Sequence, residues 1–561
     1  MVIIREGANV NSKKNHSIAN KLRKYSRSYN FTGTIVGGLF VCLSFGPSLL
    51  PRAWYMQAVV SAVLFVFGYG FGVFISYIVR QFTLKSPSYT SRIKKVVYLA
   101  LGVGYFFAMW LGYIWQQNSH QLMNIESPAS YSMLGITLLM LAIIVLLIWV
   151  VRIVRSFFQF LRRQINKIMP HNIANALAIA ATVFVLFGVI DGFLLQGAYS
   201  FVSNMFSVKN DTTPEGIERV NAPTVSGSDE SLIRWESLGL QGRKFIGNVT
   251  TTKDLESFNG PAAGLSPVRI YAGLESASDV NARAELAAAD LVRAGGLQRD
   301  VVLVVTTTGT GWVDEKGIDP IEYMYNGNSA IISMQYSYLP SWISFLVDQQ
   351  KAKDAGIALY NAVYKEWVKL PVDQRPKLLS YGESLGSFGS EAAFPAVTSL
   401  QALSSGTVWV GPPNSNALWS NIVSHREAGS PMILPVYQNG ATVRFAGRSG
   451  DLQYPNTEWT NPSAVYLQHA SDPIVWWSPS LILNKPAWYN EPRGYDVNVA
   501  TRWFPIITFW QITADMAFAN SVPDGHGHKY GTLPVDAWAQ VAPPPNWNAQ
   551  KTQDLKNVLS N

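Results

Sequence analysis

Apolar residues crowd the first third of the chain in runs with almost no polar interruption. Five segments, residues 31–50, 53–79, 96–115, 134–151 and 172–195, approach the roughly 20 residues needed to cross about 30 Å of hydrocarbon. The second, third and fourth contain no charged residue; Pro47 interrupts the first, and Asp191 stands near the end of the fifth. About five spanning helices are therefore expected over residues 31–195. From residue 240 onward the pattern is different. Residues 301–306 are a near-continuous β-branched run, followed by strand-like stretches at 330–336, 377–381, 407–410 and 464–467. Helical spacing fills several intervals, at 282–294, 347–370 and from Gly386, with another expected at 535–541. Strands buried on both faces and joined through helices predict a mainly parallel sheet covered on both sides.

Charge divides the chain at the same place. Through Phe193 there are 18 Lys and Arg against 3 Asp and Glu, whereas the remainder holds 26 against 33. The basic residues lie in alternate flanks of the apolar runs: the leader 1–30, residues 80–95 and residues 152–167. The connection after the first run holds only Arg52, and residues 116–133 hold no Lys or Arg. That alternation predicts a cytoplasmic amino terminus and an extracytoplasmic domain after the fifth span. It assigns the basic excess to membrane lipids, not nucleic acid. Residues 152–169 interleave arginines with Phe157, Phe158, Phe160, Leu161 and Ile165, which predicts an amphipathic helix lying on an anionic leaflet. Gly68, Gly70 and Gly72 fall inside a span, where small residues let helices approach closely. Residues 196–239 are polar and rich in turn formers, and read as a linker or cap before a catalytic domain at 240–561. The single cysteine, Cys42, excludes an intramolecular disulfide and a cysteine-based zinc site.

The ends of parallel strands are where chemistry is expected. After the strand ending at Tyr381 comes Gly382-Glu383-Ser384-Leu385-Gly386, a Gly-x-Ser-x-Gly nucleophile elbow. A serine on so sharp a turn needs small flanks for the turn to close, and its Oγ then projects at a helix amino terminus. Ser384 is the candidate nucleophile. Its hydroxyl needs a base, and the base needs a carboxylate, in the chain order Ser, acid, His. Asp472 follows the strand 464–467 and is the candidate acid, with Asp451, Asp515 and Asp524 as weaker rivals. The glycine-rich run Pro523-Asp524-Gly525-His526-Gly527-His528 offers two bases; the spacing leaves the choice open, with a lean to His526 for its two glycine neighbours. His425 and His469 stand outside this scheme, although His469 is near enough to Asp472 to support its loop. A paired-histidine metal site is disfavoured because no Glu accompanies the pair at ligand spacing. Oxyanion donors are expected from the backbone of Leu385 and from the Gly309-Thr310-Gly311 loop after the strand 301–306. No cofactor is called for.

Four stretches together resemble an actinobacterial membrane-anchored α/β-hydrolase family that joins a hydrophobic multi-span amino-terminal domain to a hydrolase domain. They are Thr308-Gly309-Thr310-Gly311-Trp312, residues 335–342 (Gln-Tyr-Ser-Tyr-Leu-Pro-Ser-Trp), Gly382–Gly386, and Gly525-His526-Gly527-His528-Lys529-Tyr530. The resemblance implies a serine-hydrolase fold without fixing a substrate. About fifty residues separate Asp472 from His526, aromatic and helix-like at 501–520, which suggests a cap or a contact with the bilayer. The expected activity is hydrolysis of acyl esters of lipid or envelope molecules, with Trp476, Trp477, Trp488, Trp503, Phe504 and Trp510 as an acyl channel. Acyl transfer by the same chemistry, and an inactive membrane scaffold, are the alternatives.

Overall fold

The computed structural model describes residues 29–82, 89–126, 132–189, 210–261, 264–340, 343–345, 349–459 and 463–560. Most of the basic leader, Lys85, Asp191, linker residues 196–209 and the Ser341-Trp342 end of one family-like stretch lie outside them. The chain divides into two units. One comprises residues up to His120, Glu126–Thr182 and Ala500–Ala514; the other comprises Gln121–Ile125, Val183–Val499 and Asp515–Asn561.

The first unit is built on five helices: α1 (Phe31–Ser44), α2 (Trp54–Phe82), α3 (Ser91–Leu122), α4 (Met133–Ile165) and α5 (His171–Phe187). Only α2, α3 and α4 are both long and apolar enough to cross a membrane; α1 and α5 have 14 and 17 residues. The expected five full spans thus reduce to three among the described residues. At 1.5 Å per residue α1 reaches only about 21 Å. Its early end has a visible cause in Gly46 and Pro47. Beyond it the irregular backbone at 45–52 is largely buried in protein, the condition under which non-helical chain is tolerated at membrane depth. The Arg52 guanidinium donates to the Ser44 and Gly46 carbonyls at 3.3 and 2.9 Å and to Gln57 Oε1 at 2.8 Å. The carbonyl of the helix's last residue therefore has a charged donor.

The expected surface helix at 152–169 does not form separately. Residues 152–165 continue α4 without a break, so the helix runs for 33 residues. Helices α1 and α2 pack through glycines: a Cβ on Gly72 would lie 2.7 Å from the Thr32 carbonyl, and one on Gly68 2.9 Å from that of Val36. Gly70 faces open space and takes no part. The segment Ala500–Ala514 also belongs to this unit. Ile507, in the helix Ile507–Met516, packs against Val60 and Leu64 of α2, and Gln511 Nε2 donates to the Ser44 and Gly46 carbonyls at 3.2 and 2.9 Å. Residues 500–514 of the insertion before the histidine loop thus belong to the helical unit, and the rest of it to the other unit.

The second unit is a seven-stranded, wholly parallel sheet in the order β1-β3-β2-β4-β5-β7-β6. Its strands are β1 (Val268–Ala272), β2 (Val301–Thr306), β3 (Ser329–Met334), β4 (Lys377–Glu383), β5 (Gly406–Val410), β6 (Val443–Ala446) and β7 (Ala464–Leu467). Val301 to Thr306 are all buried, as a continuous β-branched run requires. The helices of this unit include α6 (Val280–Arg293), α7 (Glu315–Met324), α8 (Gln349–Trp367) and α9 (Leu385–Glu391). Described linker residues pack with the sheet, since the Ser226 N–H donates to the Arg269 carbonyl at 3.0 Å. Strand β4 lies at the centre between β2 and β5, so its carboxyl end is flanked by theirs.

Candidate active site

Ser384 leaves β4 in a conformation that side chains rarely adopt, φ 54° and ψ −125°. Its N–H is fixed by the Val410 carbonyl at 2.8 Å, and its own carbonyl accepts from the Ser387 N–H at 2.9 Å as α9 begins. The need for small flanks is explicit: a Cβ on Gly382 would lie 2.3 Å from the Gly386 carbonyl, and one on Gly386 2.4 Å from that of Thr306. Any larger residue would open the turn. Leu385 is the first residue of α9, where an N–H has no carbonyl one turn back.

Asp472 is fully buried and caps a short helix, its Oδ1 accepting the Ile474 N–H at 2.9 Å. Its Oδ2 meets His528 Nδ1 at 2.7 Å and accepts the Tyr530 hydroxyl at 2.7 Å. An ionised carboxylate only accepts, so Nδ1 carries the proton and Nε2 is left as the acceptor. That Nε2 is buried with no hydrogen-bond partner among the described residues. Gly411 makes room for the ring: its φ is +54°, and a Cβ there would lie 2.3 Å from His528 Cε1. Ser384 and His528 line the same cavity, of about 380 Å³.

His526, favoured by its glycine neighbours, is placed elsewhere. Its Nδ1 is 3.3 Å from Asp496 Oδ2, which also accepts the Ser471 hydroxyl, and it does not line the cavity. The alternation of the two side chains in a short loop sends neighbouring imidazoles to different carboxylates. His469 holds the assembly from below. It stacks on Tyr530 with ring centres 4.1 Å apart, and its Nδ1 bonds the Gly527 carbonyl at 2.9 Å; burial lowers its pKa and keeps it neutral. Asp524 pairs instead with Lys316 and Lys529, each at 3.1 Å, and Asp451 accepts from the Gly447 N–H at 3.0 Å. His425 is exposed and bonds its neighbouring helix, at the Asn421 carbonyl and the Ser424 hydroxyl. Sequence reasoning missed Gly411 and Asp496, whose roles depend on contacts between distant loops and carry no local signature, and it gave no role to Tyr530 although that residue ends one of the family-like stretches.

The loop after β2 is closed on itself. Thr308 and Trp312 line the cavity, but the Gly311 N–H donates to the Thr308 carbonyl at 3.0 Å and is already engaged. The carbonyls of Thr310 and Gly311 accept from Gln335 Nε2 and the Tyr271 hydroxyl at 2.9 and 2.7 Å. Of the expected donors in Gly309, Thr310 and Gly311, the Gly311 N–H is therefore excluded. Glu383, the last residue of β4, also lines the cavity. Burial, reinforced by the nearby Asp314 and Asp472 carboxylates, raises its carboxyl well above the usual range; Asp314 is raised to about 6, chiefly by burial. Among the described residues no group of three or more His, Cys, Asp or Glu side chains gathers as metal ligands would.

None of the aromatics expected to form an acyl channel lines this cavity. Trp476 is core, packed against Trp419 and Trp488 with its Nε1–H on the His469 carbonyl at 3.0 Å. Phe504 and Trp510 pack on Val60 and Leu64 in the helical unit. Their hydrophobicity serves packing between elements.

Comparison with known proteins agrees with this architecture. Residues 268–555 match a family described as "Alpha/beta-hydrolase family", and residues 45–249 match one described as "Alpha/beta-hydrolase family N-terminus". No curated protein and no solved structure matches the chain. With a parallel sheet, a serine elbow after its central strand and a family match over more than half its length, the chain belongs to this α/β-hydrolase family.

Proposed function

We propose that this protein is a membrane-anchored serine hydrolase that cleaves acyl esters of cell-envelope molecules outside the cytoplasm. Ser384 Oγ attacks the acyl carbon while His528 Nε2 takes its proton; Asp472 holds the imidazole with Nδ1–H toward it and balances the imidazolium charge. His528 then delivers the proton to the departing alcohol. Water attacks the acyl-serine ester, loses its proton to His528, and releases the acid as Ser384 recovers its hydrogen. The Leu385 N–H contributes to binding the oxyanion at the start of α9.

The single observation that carries this reading is the His528 imidazole, bonded at Nδ1 to buried Asp472, without a partner at Nε2 among the described residues, and sharing a cavity with Ser384. Extracytoplasmic placement rests on the charge pattern. By this reading basic residues 80–95 and 152–167 lie on one side and bare residues 116–133 on the other, and the placement requires the apolar run 172–195, of which the 17-residue α5 is part, to carry the chain back to the bare side. A membrane-impermeant fluorophosphonate applied to intact cells tests both parts. Labelling of the wild type but not of Ser384→Ala supports the reading; a folded wild-type protein that resists labelling in intact and lysed cells contradicts it. Labelling only after lysis contradicts the placement.

A further inference from the structure

The cavity beside Ser384 is bordered by charged and amide side chains. Among the described residues no Leu, Ile, Val, Met or Phe lines it. Its walls include the half-buried Trp312 indole, the carboxyls of Asp314 and Glu383, the Asn520 amide, and two lysines that share Asp524. An alkyl tail entering here would displace water from these charged groups, and their desolvation opposes it. A polyol meets the opposite balance. Each of its hydroxyls donates and accepts, and planar carboxyl and amide groups match pairs of adjacent hydroxyls. The C–H face of a pyranose needs one flat apolar surface, which the Trp312 ring supplies.

Glu383 makes the demand specific. Its Oε2 is buried and has no hydrogen-bond partner among the described residues, although the side chain borders the cavity. An unsatisfied buried oxygen is costly, and a substrate hydroxyl that reaches it removes that cost. Burial and the neighbouring carboxylates favour its protonated form, which donates as well as accepts, as a sugar hydroxyl does.

We propose that the cavity formed by Trp312, Asp314, Glu383 and Asn520 binds a carbohydrate, and that the ester attacked by Ser384 joins a short acyl group to a sugar hydroxyl. This rests on the serine-hydrolase reading of the same site. In the reaction the acyl carbon–oxygen bond to the sugar breaks, the sugar oxygen takes the proton from His528, and water completes the free acid. Atoms balance as sugar ester plus water giving sugar and acid.

The test compares detergent-purified full-length protein on three esters: an acetylated methyl glucoside, ethyl acetate and 4-nitrophenyl acetate. The expected result is kcat/KM for the sugar acetate at least about tenfold above ethyl acetate, because a site that bonds hydroxyls rejects an analogue without them. Trp312→Ala should raise KM for the sugar acetate more than it lowers kcat, with Trp312→Phe recovering most of the loss. Turnover of the nitrophenyl ester with no preference for the sugar acetate over ethyl acetate overturns the carbohydrate proposal alone. So does a Trp312→Phe that is folded and as impaired as Trp312→Ala. Absence of turnover on all three esters, together with absent fluorophosphonate labelling of Ser384, overturns the hydrolase reading and this proposal with it.

Discussion

His528 and Tyr530, two residues apart, converge on one oxygen of Asp472, the imidazole and the phenol each at 2.7 Å from Oδ2. The phenol cannot act as a base, since burial and the Asp472 charge push its pKa well above the ordinary value. It donates, and so fixes where the carboxylate points. Tyr530→Phe should lower kcat on a nitrophenyl ester by about three- to tenfold, the scale of one lost hydrogen bond, and leave KM nearly unchanged. Steady-state kinetics separate this from a general loosening of the cavity, which would raise KM as well.

Gly411 is the clearance for the base. Its positive φ disfavours any side chain, and the added carbon of Gly411→Ala would sit 2.3 Å from His528 Cε1. The ring must move, and displacement of a catalytic group by about 1 Å costs on the order of a hundredfold in rate. Gly411→Ala should therefore lose ester turnover while circular dichroism reports an intact fold. Normal turnover would show that the ring has freedom the packing denies it.

Glu391 gives the hydrolase unit a pH signature. It is deeply buried, and burial raises its carboxyl to about 7, opposed by hydrogen bonds from the Tyr466 hydroxyl at 2.8 Å and the Leu418 N–H at 2.7 Å. The folded value exceeds the unfolded one, so the folded state binds this proton more tightly. Its contribution to stability is complete below the unfolded carboxyl range and is lost as pH rises through about 7. Thermal midpoints of the wild type should fall over that interval, and Glu391→Gln should flatten the decline.

How much of this was legible in the chain depends on how local each cause is. Ser384 could be read directly because the elbow's sterics are contained within five residues. The strand 301–306 was equally plain, since burial on both faces leaves a β-branched run. By contrast, β1 is interrupted by Arg269, a residue that looks solvent-facing. It is fully buried because Glu322 Oε1 and Asp319 Oδ1 each bond it at 2.7 Å from a helix about fifty residues away. Strand β6, only four residues with Arg444 inside, was hidden for a related reason: that guanidinium bonds the Leu452 and Thr457 carbonyls. The arginines after residue 151 pointed to a helix, which forms, but carried no information on whether it would separate from α4. The choice of histidine was out of reach because glycine neighbours describe a loop's freedom, whereas the pairing depends on where Asp472 and Asp496 are held.

Turnover of 4-nitrophenyl acetate by His528→Ala and His526→Ala, measured side by side in detergent-purified full-length protein, tests the central assignment most directly. The account predicts a loss of about a thousandfold or more for His528→Ala, with His526→Ala retaining activity within about tenfold of wild type. The reverse order, with His526→Ala inactive and His528→Ala nearly unaffected, would contradict it.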